Sequence, residues 1–126
     1  MCILLVEDEW LIRSMFAEEL RENGFAVREA EDGDQASALI MEDPTLYTLL
    51  VTDIHMPGSL DGIGVAHLLR ARRPDVPIIY ATGRPDALNA LQPFGVNEAL
   101  LCKPFAMPAL LAKVRRLLGQ GGAYTF

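Results

Sequence analysis

The chain has only two cysteines, two histidines and one tryptophan, and its 11 basic residues are outnumbered by 17 acidic ones. Each shortage excludes something. Cys2 and Cys102 sit in separate apolar stretches without metal-ligand spacing, which argues against a zinc site and a disulfide framework. Both are expected to be buried thiols of a reducing compartment. No apolar run approaches the roughly 20 residues that a membrane helix needs; stretches such as Pro77–Ala81 and Ala99–Cys102 are far shorter. The N-terminal apolar segment Cys2–Val6 runs straight into Glu7, Asp8 and Glu9, unlike a secretory leader. A cytoplasmic protein with no membrane contact is expected. A formal net charge of −6 also lacks the basic surface that direct nucleic-acid binding requires. Basic residues cluster only at Arg70, Arg72 and Arg73 and at Lys113, Arg115 and Arg116, as solvated helix faces or helix C-terminal charge.

What is present is one domain's worth of core. The 126 residues are 51% hydrophobic and 22% charged, which suits a single globular unit. Short apolar runs alternate with amphipathic stretches. Cys2–Val6, Phe25–Ala30, Leu46–Val51, Val76–Ala81 and Ala99–Cys102 predict strands. Between and after them, helices are predicted over Trp10–Glu22, where Leu11, Met15 and Leu20 supply the apolar positions, and over Gln35–Glu42. Further helices are predicted from about Gly64 to Arg72, around Asp86–Leu91, and over Met107–Leu118. Residues 119–126 carry three glycines and form a flexible tail beyond a domain spanning 1–118. Five strands alternating with five helices give an α/β fold with a parallel sheet covered on both faces.

In such sheets, sites form beyond the C-terminal ends of the strands. Those ends carry Glu7 and Asp8 after the first strand, Asp53 after the third, Thr82 after the fourth and Lys103 after the fifth. Nearly every group able to do chemistry therefore falls on one rim. Three carboxylates together call for a cation, and hard oxygen donors suit Mg²⁺. Lys103 offers a point charge for an anion and Thr82 a hydroxyl donor. A carboxylate nucleophile with a metal, a lysine and a hydroxyl fits phosphoryl transfer onto an aspartate.

These residues resemble the receiver domains of two-component response regulators over about Ile3–Leu118. The resemblance rests on four motifs: Ile3–Glu9 with its acidic pair, and Thr52-Asp53-Ile54-His55-Met56-Pro57-Gly58-Ser59-Leu60-Asp61-Gly62; then Pro77–Gly83 ending in Thr82, and Cys102-Lys103-Pro104-Phe105. It implies a flavodoxin-like three-layer sandwich, strand order 2-1-3-4-5, and a cis Lys103–Pro104 bond. By the same resemblance, Asp53 is the phosphoacceptor, and Mg²⁺ is held by Asp8, Asp53, the His55 backbone carbonyl and Glu7. Thr82 and Lys103 would meet the phosphoryl group. The implied partners are a sensor histidine kinase or phosphotransfer protein as donor and a downstream protein or output domain. The latter would dock on the face of the fourth helix, fifth strand and fifth helix, and a homodimer is left open. The implied role is a phosphoprotein switch rather than an enzyme, limited to Mg²⁺-dependent self-phosphorylation and slow autodephosphorylation.

Asp61 is expected to cap the following helix, His67 to lie on an ordinary helix face, and Trp10 to be partly exposed beside the site. Three features depart from the commonest family pattern. Leu100 stands where an aromatic is usual, leaving Tyr80 as the nearest substitute; Gly58-Ser59-Leu60 makes the acceptor loop one residue longer; and Ala81-Thr82-Gly83 followed by Arg84-Pro85 resembles a subset of single-domain receivers. The eight residues after Leu118 hold no output domain, so the chain is expected to act alone or to be part of a longer regulator. Two alternatives are an aspartate-nucleophile phosphohydrolase and a phosphate-independent pseudo-receiver. The first lacks the second aspartate, since His55 stands two positions after Asp53, and lacks a cap insertion; the second does not call for an intact acidic pair, threonine and lysine.

Overall fold

The computed structural model describes residues 1–83 and 97–119. Five strands, β1 (Cys2–Val6), β2 (Val27–Ala30), β3 (Tyr47–Asp53), β4 (Ile78–Thr82) and β5 (Glu98–Cys102), form one sheet. Every neighbouring pair is parallel, in the order β2-β1-β3-β4-β5. The described helices are α1 (Trp10–Glu22), α2 (Gly33–Glu42), α3 (Gly62–Arg72) and α4 (Met107–Leu117), with a 3-10 turn at Pro44–Leu46. The helix expected around Asp86–Leu91 and the tail from residue 120 lie outside the described residues.

The apolar runs of the strands are continuous because both sheet faces are covered. On one face, Leu4, Val6, Leu50 and Ile78 pack with Ala36 and Ile40 of α2 and Val65, Ala66 and Leu69 of α3. On the other, Ile3, Leu5, Leu49, Val51 and Ile79 pack with Ala17 and Leu20 of α1 and Leu110, Leu111 and Val114 of α4. Successive strand residues thus feed opposite cores, the two-residue period of a pleated strand. Each fully buried Leu or Ile contributes about 1.5–3 kcal/mol relative to exposure. Chain direction from β1 leads through α1 to β2, whereas β3 leads through α3 to β4 on the other side. The crevice between the ends of β1 and β3 is where such a sheet can receive a ligand.

Several details differ from the sequence-based expectations. Leu11 and Met15 are exposed, because nine positions at about 100° each put Leu20 on the opposite side of α1 from Leu11. The buried stripe runs instead through Phe16, Ala17 and Leu20. Cys102 is exposed and Cys2 half-buried, so neither is a fully buried thiol; Cys102 ends an edge strand, where no further strand covers it. Arg70 and Arg73 are not solvated helix charges. Arg70 pairs with Glu98 at 2.7 Å and donates to the carbonyls of Val76 and Asn97, while Arg73 donates to those of Pro44 and Tyr47. Their guanidinium groups tie the C-terminal end of α3 to the backbone leading into β3, β4 and β5. β3 runs on through Thr52 and Asp53, which carries Asp53 into the sheet.

Candidate functional site

The backbone ladder delivers the acidic groups. Glu7 N–H donates to the Ala30 carbonyl, extending β1 by one residue, and Ile54 N–H donates to the Ala81 carbonyl, holding the end of β3 against β4. Glu7 and Asp53 are consequently buried, whereas Asp8 faces solvent. One carboxylate oxygen from each of Glu7, Asp8 and Asp53 lies within 4.8 Å of the others. Lys103 comes from the far side of the sheet and bridges two of them, with Nζ 2.6 Å from Glu7 Oε1 and 3.2 Å from Asp53 Oδ2.

The turn after β1 is braced from below. Arg13 donates from Nη1 to the Glu7 carbonyl at 2.9 Å, and its Nε pairs with Glu29 of β2 at 3.3 Å. Glu9 N–H donates to Glu7 Oε2 at 3.1 Å. Lys103 is fixed at its own backbone, since its N–H donates to the Thr82 carbonyl at 2.7 Å. Its peptide bond to Pro104 is cis, and Phe105 beyond it packs on Phe16 of α1 with ring centroids 5.2 Å apart. Thr82 is buried at the end of β4, one strand over from Asp53.

Electrostatics follow from this burial. Burial pushes the Glu7 carboxyl upward, against the hydrogen bonds from Lys103 and the Glu9 N–H that pull it down. For Lys103, burial works against the ammonium, but the Glu7 hydrogen bond and the charges of Asp53 and Glu7 outweigh it and raise its pKa. Three carboxylates against one ammonium leave a deficit of two charges, which one divalent cation neutralises. The donors are all hard oxygens, the set Mg²⁺ takes. The residues present therefore fit the ion.

The acceptor loop follows Asp53. His55 is exposed, and residues 55–61 line an open groove of about 630 Å³. The loop ends where Gly62 N–H donates to the Ile54 carbonyl and Asp61 caps α3 by accepting from Gly64 N–H at 2.9 Å. Asp61 is thus the cap it was expected to be. A Cβ on Gly62 would collide with the Asp53 carbonyl, so only glycine lets the loop close this tightly over the acceptor. His67 is exposed on α3, and Trp10, 67% exposed, starts α1 beside the acidic turn.

Of the residues singled out from sequence, the fold brings Glu7, Asp8, Asp53 and Lys103 into one cluster and sets Thr82 at the adjacent strand end. Arg13 was not anticipated. Its signal is only positional, one helical turn past Glu9, and its partners come from β1 and β2.

Residues 3–115 match the family model of the response regulator receiver domain. The chain belongs to that family. It is 34% identical over 134 residues to the response regulator MprA of Mycolicibacterium vanbaalenii, covering 98% of this chain and 57% of that protein. The chain spans about half the length of the curated relatives it matches. Among solved structures, a response regulator receiver protein from Sinorhizobium medicae superposes with a TM-score of 0.85 at 30% identity, covering 94% of both chains. The response regulator TrrA of Thermotoga maritima, solved in complex with Mg²⁺ and BeF, superposes with a TM-score of 0.79 at 34% identity. That match covers 93% of this receiver domain and 99% of TrrA. The chain is therefore a receiver domain of two-component response regulators, a regulatory domain. No described helix is long and apolar enough to cross a membrane.

Proposed function

We propose that Asp53 accepts a phosphoryl group from a sensor histidine kinase or a phosphotransfer protein, and that Glu7, Asp8, Asp53 and the His55 carbonyl hold Mg²⁺ for that step. The observation that carries this is the Lys103 ammonium lying between Glu7 and Asp53 beside a third carboxylate. An Asp53 oxygen attacks phosphorus, the phosphorus–nitrogen bond to the donor imidazole breaks, and the imidazole nitrogen regains a proton from solvent. Bound Mg²⁺ offsets negative charge on the transferring oxygens. Lys103 supplies a second, fixed positive charge, and the Thr82 hydroxyl donates to a phosphoryl oxygen once the group is on Asp53. TrrA was solved with Mg²⁺ and BeF, which supports the same chemistry here.

Phosphorylation shifts an existing equilibrium toward a form that binds a downstream protein or output domain. The docking face comprises β5 and α4 with the segment that joins β4 to β5; self-association through this face would give a homodimer. The exposed Trp10 and Leu11, which follow the acidic turn, and Met15, one helical turn further along α1, offer the donor protein an apolar contact. The protein works in the cytoplasm, with residues 1–118 as the receiver unit and 119–126 as its tail. Its own chemistry is limited to self-phosphorylation and slow autodephosphorylation. With Mg²⁺ and beryllofluoride, Trp10 fluorescence is expected to change in the wild type and not in Asp53→Asn. No change in the wild type would refute the proposal.

A further inference from the structure

The acceptor loop from His55 to Asp61 has no secondary structure of its own. A free loop of this kind samples many conformations, and fixing any one of its backbone groups costs entropy. Both ends of the loop bear on the site. It starts at Asp53 and returns at Gly62 against the Asp53 carbonyl. Its middle is held by α2. Ser59 Oγ donates to Asp34 Oδ1 at 2.8 Å, and Asp34 sits in the first turn of α2, where the helix dipole favours a carboxylate.

Two backbone features serve that contact. Gly58 adopts φ +105°, which turns the chain so that Ser59 meets Asp34, and a Cβ there would lie 3.4 Å from Asp34 Oδ2. Next along, the Leu60 carbonyl lies directly over Gly33, at the start of α2, so closely that a Cβ on Gly33 would collide with it. Met56 and Leu60 pack against the α2/α3 core below. The Gly58-Ser59-Leu60 segment, which the phosphoacceptor chemistry leaves without a task, is thus the part of the loop that lies against the start of α2.

We propose that Asp34 and Ser59 are positioning residues: by tying the acceptor loop to the start of α2 they set the affinity of the site at Glu7, Asp8 and Asp53 for Mg²⁺. This rests on the phosphoacceptor reading, in which the loop supplies the His55 carbonyl to the metal. Neither residue touches the ion. Their bond holds the backbone that does, so an untied loop must be ordered at the moment of binding.

The test uses the whole chain as Ser59→Ala, Asp34→Ala, the double variant and Ser59→Thr. Mg²⁺ is titrated against Trp10 fluorescence, and amide exchange of residues 56–61 is followed in the metal-free protein. Ser59→Ala is expected to weaken Mg²⁺ binding about threefold, the worth of one exposed charge-assisted hydrogen bond, and to speed loop exchange. Asp34→Ala should match it, the double variant should lose no more than either, and Ser59→Thr should restore wild-type affinity. Asp34→Ala also removes a charge, but Ser59→Ala does not, so an effect of charge alone would leave Ser59→Ala unchanged. If the wild type binds Mg²⁺ and Ser59→Ala binds it equally well, or if the two losses add in the double variant, the tether is refuted alone. A wild type that binds no Mg²⁺ refutes the phosphoacceptor reading and this proposal together.

Discussion

The two flanks of Asp53 are held by different means. On the β1 side, the turn carrying Glu7 and Asp8 is fixed by charge: Lys103 above, Arg13 and Glu29 below, all partly shielded from solvent. On the β3–α3 side, the acceptor loop is exposed and is held by shape, through glycines that allow backbone to lie against backbone. A charged brace resists movement yet responds to any new ion, whereas a steric one is indifferent to ions and intolerant of added atoms. A phosphorylation site needs both, a part that senses charge and a part that keeps the acceptor in place.

The largest expected effect breaks the steric flank. Gly62→Ala places a methyl group on the Asp53 carbonyl, so the loop must shift, costing about 3 kcal/mol, seen as a lower midpoint of chemical denaturation. A midpoint like that of the wild type would mean the loop is free to relax. Lys103→Met breaks the charged flank and should cost about 2 kcal/mol in metal-free protein, because the buried Glu7 and Asp53 lose their common cation. The same variant should bind Mg²⁺ more tightly, since a competing positive charge is gone, and saturating Mg²⁺ should recover most of its lost thermal stability. Weaker Mg²⁺ binding would contradict the charge balance.

Arg13→Met keeps the aliphatic stem and removes two polar contacts, for about 1 kcal/mol and a measurable loss of Mg²⁺ affinity by fluorescence titration. Unchanged affinity would show that the turn after β1 holds itself. The smallest effect at neutral pH lies outside both flanks. Burial, followed by the charge of Glu98, pushes the Tyr80 hydroxyl up to about 12. Ionisation is thus easier in the unfolded chain, and the stability conferred is full below pH 10 and is lost as pH rises from 10 toward 12. Tyr80→Phe should flatten that alkaline limb of a denaturation-versus-pH curve; an identical limb would remove Tyr80 as its cause.

The periodicity of the chain was enough to place the strands, because runs such as Cys2–Val6 are apolar on both faces and helices such as Trp10–Glu22 end in clear stop signals. The cluster was legible for the same reason: a parallel sheet collects strand-end residues on one rim, so Glu7, Asp53, Thr82 and Lys103 needed only their positions in order. What the sequence concealed depends on contacts between distant elements. The inward stripe of α1 follows from a choice between two apolar sides, one with Leu11 and Met15 and the other with Phe16 and Leu20. Likewise Arg70 and Arg73, which look like solvated charge, find backbone carbonyls at the starts of strands and in the loops before them, which no local pattern reveals. Tyr80, the nearest aromatic to substitute for the one missing at Leu100, proves to be a core residue in register with it.

The central claim is that Asp53 takes the phosphoryl group. Intact mass after incubation with Mg²⁺ and acetyl phosphate tests it most directly. The wild type should gain about 80 Da, the mass of one phosphoryl group, and Asp53→Asn should gain nothing. A wild type that gains no mass, or an Asp53→Asn variant that gains as much, would contradict the account.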